Sequence, residues 1–465
     1  MTNVLITNAV ILTCDDNRSV IEHAAIAVAD NRIAAVGASS ELEKTYADFE
    51  RFDARGLAVL PGFINAHTHT ALTVLRGTVE DWDGNAVYGY MSPVSYEMSD
   101  EERAIMVQLG CLEAIRSGCA TLVDPFRHLP SYVDAMAATG LRLWVSENCA
   151  DINTLKIRQG DYSVDREFGQ VFLDRTIRGI EAYHGTHNDR LRIQIAAHAP
   201  DNCSPWMLDQ LMQLARKHDL TRTVHLAQSI EEIKAVKAAH GLTPAEYLDR
   251  EGFLGPDLVG AHWTYCTASD VELLASRGTQ MVHCPANSSR RGPHTAPIGL
   301  IRDAGINIAI GTDNMTEDMF HALKIGLIVH RGGRGRAKEG GVNPQPQALL
   351  DGVTRNAARS VGASAEIGSI EVGKKADLTI IDLNVPAMRP IIRLVSNIVH
   401  YGHPGIVHSV MTDGTFLMRD REVLALDEAA LLKESQKVTE RVWQRMIAKN
   451  PDIPPPPGGL HWLDA

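Results

Sequence analysis

At 465 residues, 45% of them hydrophobic and 22% charged, the chain is long enough for a large barrel with a smaller attached unit, and it has the apolar content of a full core. A formal net charge of −12 argues against a nucleic-acid or anionic-membrane surface and leaves a small molecule as the expected partner. Seven cysteines without a CxxC pair, a start unlike a signal peptide and no apolar run near the ~20 residues of a membrane span predict a reduced, cytoplasmic protein.

Residues 1–56 read as short strands and turns. VLITNAVILT and HAAIAVADNRIAAVG are β-like, with Asp30-Asn31 as a hairpin signal. Residues 365–426 look similar: GSIEVGKKADLTIIDL and VHSVMTDGTFLMRDREVL give further short strands, with Asp413-Gly414 as a turn. Isolated β-segments need partners for their edges, so the two ends are expected to build one composite β-sandwich domain.

Between them, residues 57–364 alternate β-branched runs with helical stretches, the pattern of βα units around a parallel sheet. AVLPGFINAH, TLVD, LRLWVSE, LRIQIAA, RTVHLA, DLVGAHW, TQMVHCP and INIAIGTD are the candidate strands. Eight units predict an α/β chain with a (β/α)₈ TIM barrel, although counting alone leaves an open doubly wound sheet in play. Ser99 and Glu102 form a capping box, and Ile105, Leu109, Leu112 and Ile115 mark the buried face of the helix that follows. Residues 427–449 read as a helix, and the proline-rich remainder to 465 is either a surface tail or an arm onto another subunit through Leu460, Trp462 and Leu463. The second alternative makes a homo-oligomer the expected assembly.

The chemistry starts at FINAHTHT. Residues two apart on a strand share a face, so His67 and His69 project together, and imidazole is a good ligand for zinc and similar ions. His225 ends RTVH, His262 ends LVGAH and Asp313 ends INIAIGTD. In a (β/α)₈ barrel the strand C-termini meet at one face, so these groups converge. Ionisable groups buried together need a partner, and a divalent metal supplies one. No strand end carries a lysine that could bridge two metals, so one ion is expected: zinc first, with cobalt, iron or manganese also suited to the ligands.

PGFINAHTH, HAPDNCS, HLAQS, GTDN and GSIEVGKKADLTIID, spread from end to end, resemble the amidohydrolase superfamily, in its branch of cytosine, guanine and S-adenosylhomocysteine deaminases and triazine hydrolases. The resemblance implies that His67, His69, His225 and Asp313 hold the metal and that His262 lies beside the attacking water. Many deaminases of this branch carry HLAE, whose glutamate passes a proton to a ring nitrogen; here the segment ends in Gln228, whose amide moves no proton at neutral pH. That departure points to a substrate without such a nitrogen, and makes the phenylurea and thiocarbamate (molinate-type) hydrolases the nearest resemblance. The expected reaction is therefore cleavage of a C–N or C–S bond at the carbonyl of a urea, carbamate or thiocarbamate, as in the degradation of xenobiotics. Asp313 would serve as base and His262 would polarise the carbonyl oxygen. The alternative is an aminohydrolase of a triazine, guanine or pterin ring. His198, His283, Asn287, Asn314 and Trp82, with Gln228, are the expected substrate contacts; Tyr88 belongs to a candidate lid, and Arg290 and Arg291 are either loop charges or polar contacts near the pocket.

Overall fold

The computed structural model describes residues 3–82, 86–290, 294–331 and 342–462; Arg291 and Leu463 fall outside them. Its first sheet draws on both ends of the chain. β1 (Val4–Leu12), β2 (Val20–Ala29), β3 (Arg32–Ala38), β4 (Glu50–Asp53) and β5 (Leu57–Pro61) come from the first 61 residues, and they are joined by β16 to β19 from the far end. The latter are Leu378–Asp382, Val407–Thr412, Thr415–Arg419 and Glu422–Val423, and the sheet order is β19-β18-β17-β16-β5-β1-β2-β3, with β4 paired to β1. The junction between the two ends is β5 against β16, antiparallel, with Val59 opposite Ile380.

Both hairpin signals hold. Asp30-Asn31 joins β2 to β3, and Asp413-Gly414 joins β17 to β18 with both residues at positive φ, as a tight primed turn requires. At Gly414 a Cβ would lie 2.4 Å from the Asp30 carbonyl oxygen, so the two turns meet where no side chain fits.

The barrel consists of β6 (Phe63–Asn65), β7 (Cys119–Pro125), β8 (Arg142–Ser146) with β9 (Asn148–Cys149), β10 (Leu191–Ile193) with β11 (Ile195–Ala197), β12 (Arg222–Leu226), β13 (Leu258–His262), β14 (Gln280–His283) and β15 (Ile308–Ile310). All its neighbours are parallel. Two runs, β10-β8-β7-β6 and β15-β14-β13-β12-β11-β9, are joined through Gln194, whose N–H donates to the Val145 carbonyl at 3.0 Å. The ring closes where Ala66 N–H donates to Ile310 at 3.1 Å and Asp313 N–H to His67 at 3.0 Å. The eight predicted strands are all present, with one correction. AVLPGFINAH is two strands: β5 belongs to the composite sheet and only β6 enters the barrel. The chain changes sheets at Gly62, where a Cβ would sit 2.4 Å from that of Ala120.

The Ser99–Glu102 capping box forms and opens the helix Asp100–Arg116. Its buried face is rotated from the predicted one: Met106, Val107, Cys111 and Ala114 are buried with Leu112 and Ile115, whereas Ile105 and Leu109 are half-buried. The helix is covered from two sides, by the barrel and by the C-terminal helix Glu428–Lys449, whose Arg445 pairs with Glu102. Beyond that helix the tail folds back on its own chain: Ile453 is buried and the Tyr90 hydroxyl donates to the Pro454 carbonyl. Among the described residues no helix is long and apolar enough to cross a membrane.

Candidate metal centre and cleft

Strand ends deliver the polar groups. His67 and His69 follow β6, His198 follows β11, His225 lies in β12, His262 closes β13 and Asp313 follows β15. All are buried. The His67 ring centroid lies 4.8 Å from that of His69, 4.9 Å from His225 and 5.5 Å from His262. Asp313 Oδ1 is 3.9 Å from His67 Nε2 and 3.5 Å from His69 Nε2, and its Oδ2 is 3.8 Å from His262 Nε2. His69 Nε2 and His225 Nε2 face each other at 3.1 Å.

Alternation along β13 would turn His262 out of the barrel, because Val259 and Ala261 belong to the interior cluster with Val282 and Ala309. A left-handed φ of 80° at His262 swings it inward instead, and Asp313 has φ 67°. Non-glycine residues held in that region mark places where the fold pays in strain for a side-chain direction.

These residues fit a divalent cation. The candidate ligand atoms of His67, His225 and His262, and of His67, His69 and Asp313, lie within 4.8 Å of one another in each set. Both ring nitrogens of His67 are buried without a hydrogen-bond partner. Burial, reinforced by neighbouring imidazoles, holds His67 and His69 well below the usual histidine range, which keeps them in the neutral, ligating form. His225 Nδ1 donates to the His198 carbonyl at 2.6 Å, so its Nε2 carries the lone pair that faces the cluster.

A buried network braces the two sides of the barrel seam. Glu317 accepts from Asn65 Nδ2 at 2.8 Å and from Thr312 Oγ1 at 3.2 Å, and pairs with Thr68 Oγ1 at 2.5 Å. Asn65 and Thr68 flank His67, and Thr312 precedes Asp313. Sequence reasoning missed Glu317; its signal was an acidic residue four positions beyond a strand-end aspartate.

Next to the cluster opens a cleft lined by His69, Phe126, Arg127, His198, Gln228 and Asn314 among others. Gln228 and His198, expected as substrate contacts, both line this cleft. His198 Nδ1 faces the Asn202 amide nitrogen, and Asn202 Oδ1 accepts from Ala199 N–H at 3.1 Å, which fixes the amide's orientation. The His198 ring hydrogen is thus on Nε2. Asn202 Nδ2 is 3.4 Å from the Tyr88 hydroxyl, which donates to Asp201 at 2.7 Å. Tyr88 is therefore part of the buried support of His198. Burial pushes the Asp201 carboxyl up to about 6 and that of Glu232, which accepts the backbone N–H groups of Ala227 and Gln228, up to about 8.

Other expected contacts lie elsewhere. Asn287 and Asn314 both donate to Asp313, to Oδ2 and, at 3.1 Å, to Oδ1, so they hold this carboxylate; only Asn314 also reaches the cleft. His283 points outward, as the alternation after Val282 dictates, and its Nε2 lies 2.7 Å from His330 Nε2 beside a separate cavity. Trp82 packs edge-on against Tyr90, with ring centroids 4.4 Å apart, away from the cleft wall. Arg290 does not line the cleft either. Arg127 does, and the sequence carried no signal for it.

The chain matches the amidohydrolase family model over residues 58–417, and it belongs to that family. It is an amidohydrolase-type hydrolase. It is 28% identical over 454 residues to a 5'-deoxyadenosine deaminase of Methanosarcina mazei, covering 96% of this chain and 100% of that one. A 5-methylthioadenosine/S-adenosylhomocysteine deaminase of Thermococcus sibiricus is 30% identical over 428 residues, 90% of this chain and 94% of the relative. Among solved structures, an adenosine deaminase from Xanthomonas campestris with bound zinc superposes with a TM-score of 0.85 at 24% identity, covering 95% and 99% of the two chains. An atrazine chlorohydrolase from Arthrobacter aurescens complexed with zinc gives 0.82 at 19% identity, covering 94% and 100%. The two relatives named as deaminases match the ring-aminohydrolase alternative more than the urea, carbamate or thiocarbamate reading. The latter hung on one residue, Gln228, against relatives aligned over nearly the whole chain.

Proposed function

We propose that the protein is a mononuclear metal-dependent aminohydrolase that replaces an amino group on a heteroaromatic ring by hydroxyl, consuming water and releasing ammonia or an amine. The observation that carries this reading is the convergence of three imidazoles and a carboxylate, with His262 alongside, at the mouth of a barrel whose full-length relatives are named deaminases. His67, His69, His225 and Asp313 would hold one divalent ion, zinc by preference. When bound, such an ion supplies hydroxide at neutral pH by lowering the pKa of water from 15.7 to about 7.

The chain's own residues do the rest. Asp313, held by two asparagine amides, accepts the proton of the attacking water. His262, whose Nε2 lies 3.8 Å from that carboxylate, takes this proton over from Asp313 and delivers it to the departing amine, so that both groups return to their starting state. His198 offers Nε2–H to an acceptor on the substrate. Gln228 donates and accepts hydrogen bonds and so orients the ring without carrying a proton. This residue also favours the second reading, hydrolysis at a carbonyl carbon, where no ring nitrogen has to be protonated.

The test is incubation of the zinc-loaded protein with aminated purines, pterins and triazines alongside ureas, carbamates and thiocarbamates. Ammonia or amine release from a ring, with a product mass showing amino exchanged for hydroxyl, is expected. Turnover confined to the carbonyl compounds would replace this reading by the second.

A further inference from the structure

Arg127 follows β7 at the barrel mouth and is 93% buried, being 7% exposed, yet it lines the cleft. Its guanidinium stacks 4.7 Å from the Tyr96 ring centroid and, among the described residues, makes one hydrogen bond, Nη1 to Thr154 Oγ1 at 3.2 Å. A guanidinium has five N–H donors. No described carboxylate lies within 4.0 Å of this one, although Arg142 and Arg222, the other arginines most deeply buried beside strands, are each paired with aspartate. Among the described residues lining the cleft the one carboxylate is Asp313, which is committed to the histidines.

A buried cation without a counter-ion is costly, and a planar fork of donors matches a planar carboxylate bidentately, as it also does a phosphate. Phe126, Leu72 and Val87 give the same cleft apolar walls on which a ring can pack. We propose that Arg127 is a specificity residue that binds a carboxylate carried by the substrate, so that the ring aminohydrolase acts on anionic heterocycles. The inference rests on the functional reading above for the ring, and on Arg127 alone for the charge.

The experiment measures binding of matched pairs to the zinc-loaded full chain by calorimetry: pterin-6-carboxylate against pterin-6-carboxamide, and 6-aminonicotinate against 6-aminonicotinamide. The carboxylates are expected to bind about 10- to 100-fold more tightly, the scale of a hydrogen-bonded ionic contact. Arg127→Met should bring the ratio close to one. Arg127→Lys, which keeps the charge but not the fork, should restore part of it, and melting curves of both variants report folding. Carboxylates that bind no more tightly than carboxamides, or not at all, overturn the proposal. So does a preference that survives in Arg127→Met, which would place the anion elsewhere. Ammonia release is read separately: Arg127-dependent carboxylate binding without any ammonia would sink the aminohydrolase and leave this inference standing. Ammonia from neutral rings at a rate indifferent to Arg127 would do the reverse.

Discussion

His225 Nδ1 donates to the backbone carbonyl of His198 at 2.6 Å. One strand end therefore sets the tautomer of a side chain on the next, and the lone pair of His225 Nε2 is presented to His69 and His67 without any side chain being spent on the task.

From this follows a prediction about the metal. His225→Ala and His67→Ala should each lose bound zinc on dialysis, measured by elemental analysis, and lose turnover with it. Wild-type protein should titrate to one equivalent per chain, and two equivalents would refute the single-ion assignment. Chelation should also destabilise the fold. With free zinc at about 1,000 times its dissociation constant the bound ion contributes about 4 kcal/mol, so the chelated protein should melt distinctly earlier.

Gln228 gives a second prediction. Its backbone N–H is clamped by Glu232 at 2.8 Å and its side chain faces the cleft, so Gln228→Glu adds a proton carrier with little change of shape. For a ring aminohydrolase the variant should raise kcat by up to about 100-fold, the lower end of what a positioned acid–base group contributes. A steep fall in kcat on every ring would show instead that the amide positions the substrate.

The barrel, and the gathering of these side chains at its mouth, were legible in the sequence because strand ends are where a short β-branched run stops, and His225, His262 and Asp313 each stop one. What hid the rest was direction. Whether His283 faces the cleft or the helices depends on the inward or outward parity of β14, which one short apolar run does not fix. His262 violates its own parity through a left-handed φ that no composition signals. Asn287 and Asn314 were expected as substrate contacts, but both donate to Asp313, and an amide next to a carboxylate is satisfied by it before any ligand arrives. Arg127 was invisible for a different reason: its meaning lies in the absence of a nearby carboxylate, which only three-dimensional packing reveals.

The last prediction concerns pH and Asp124. This carboxylate is fully buried on β7, where it accepts the backbone N–H of Thr70 at 3.0 Å and pairs with the Thr70 hydroxyl at 2.5 Å. Burial outweighs those hydrogen bonds and pushes it up to about 7 from the ordinary 3.8. A raised acid pKa means that the folded state holds a proton the unfolded chain releases. The contribution to stability is therefore full below about 4, declines as pH rises and is lost above about 7. Asp124→Asn cannot titrate but keeps an oxygen to accept from Thr70. Urea unfolding of zinc-saturated protein should show wild type losing stability relative to this variant by up to about 1.4 kcal/mol per pH unit between pH 5 and 7, then running parallel to it at pH 8. Parallel curves across the whole range would mean that Asp124 is ionised in the fold at pH 5, and that the Thr70 contacts outweigh its burial.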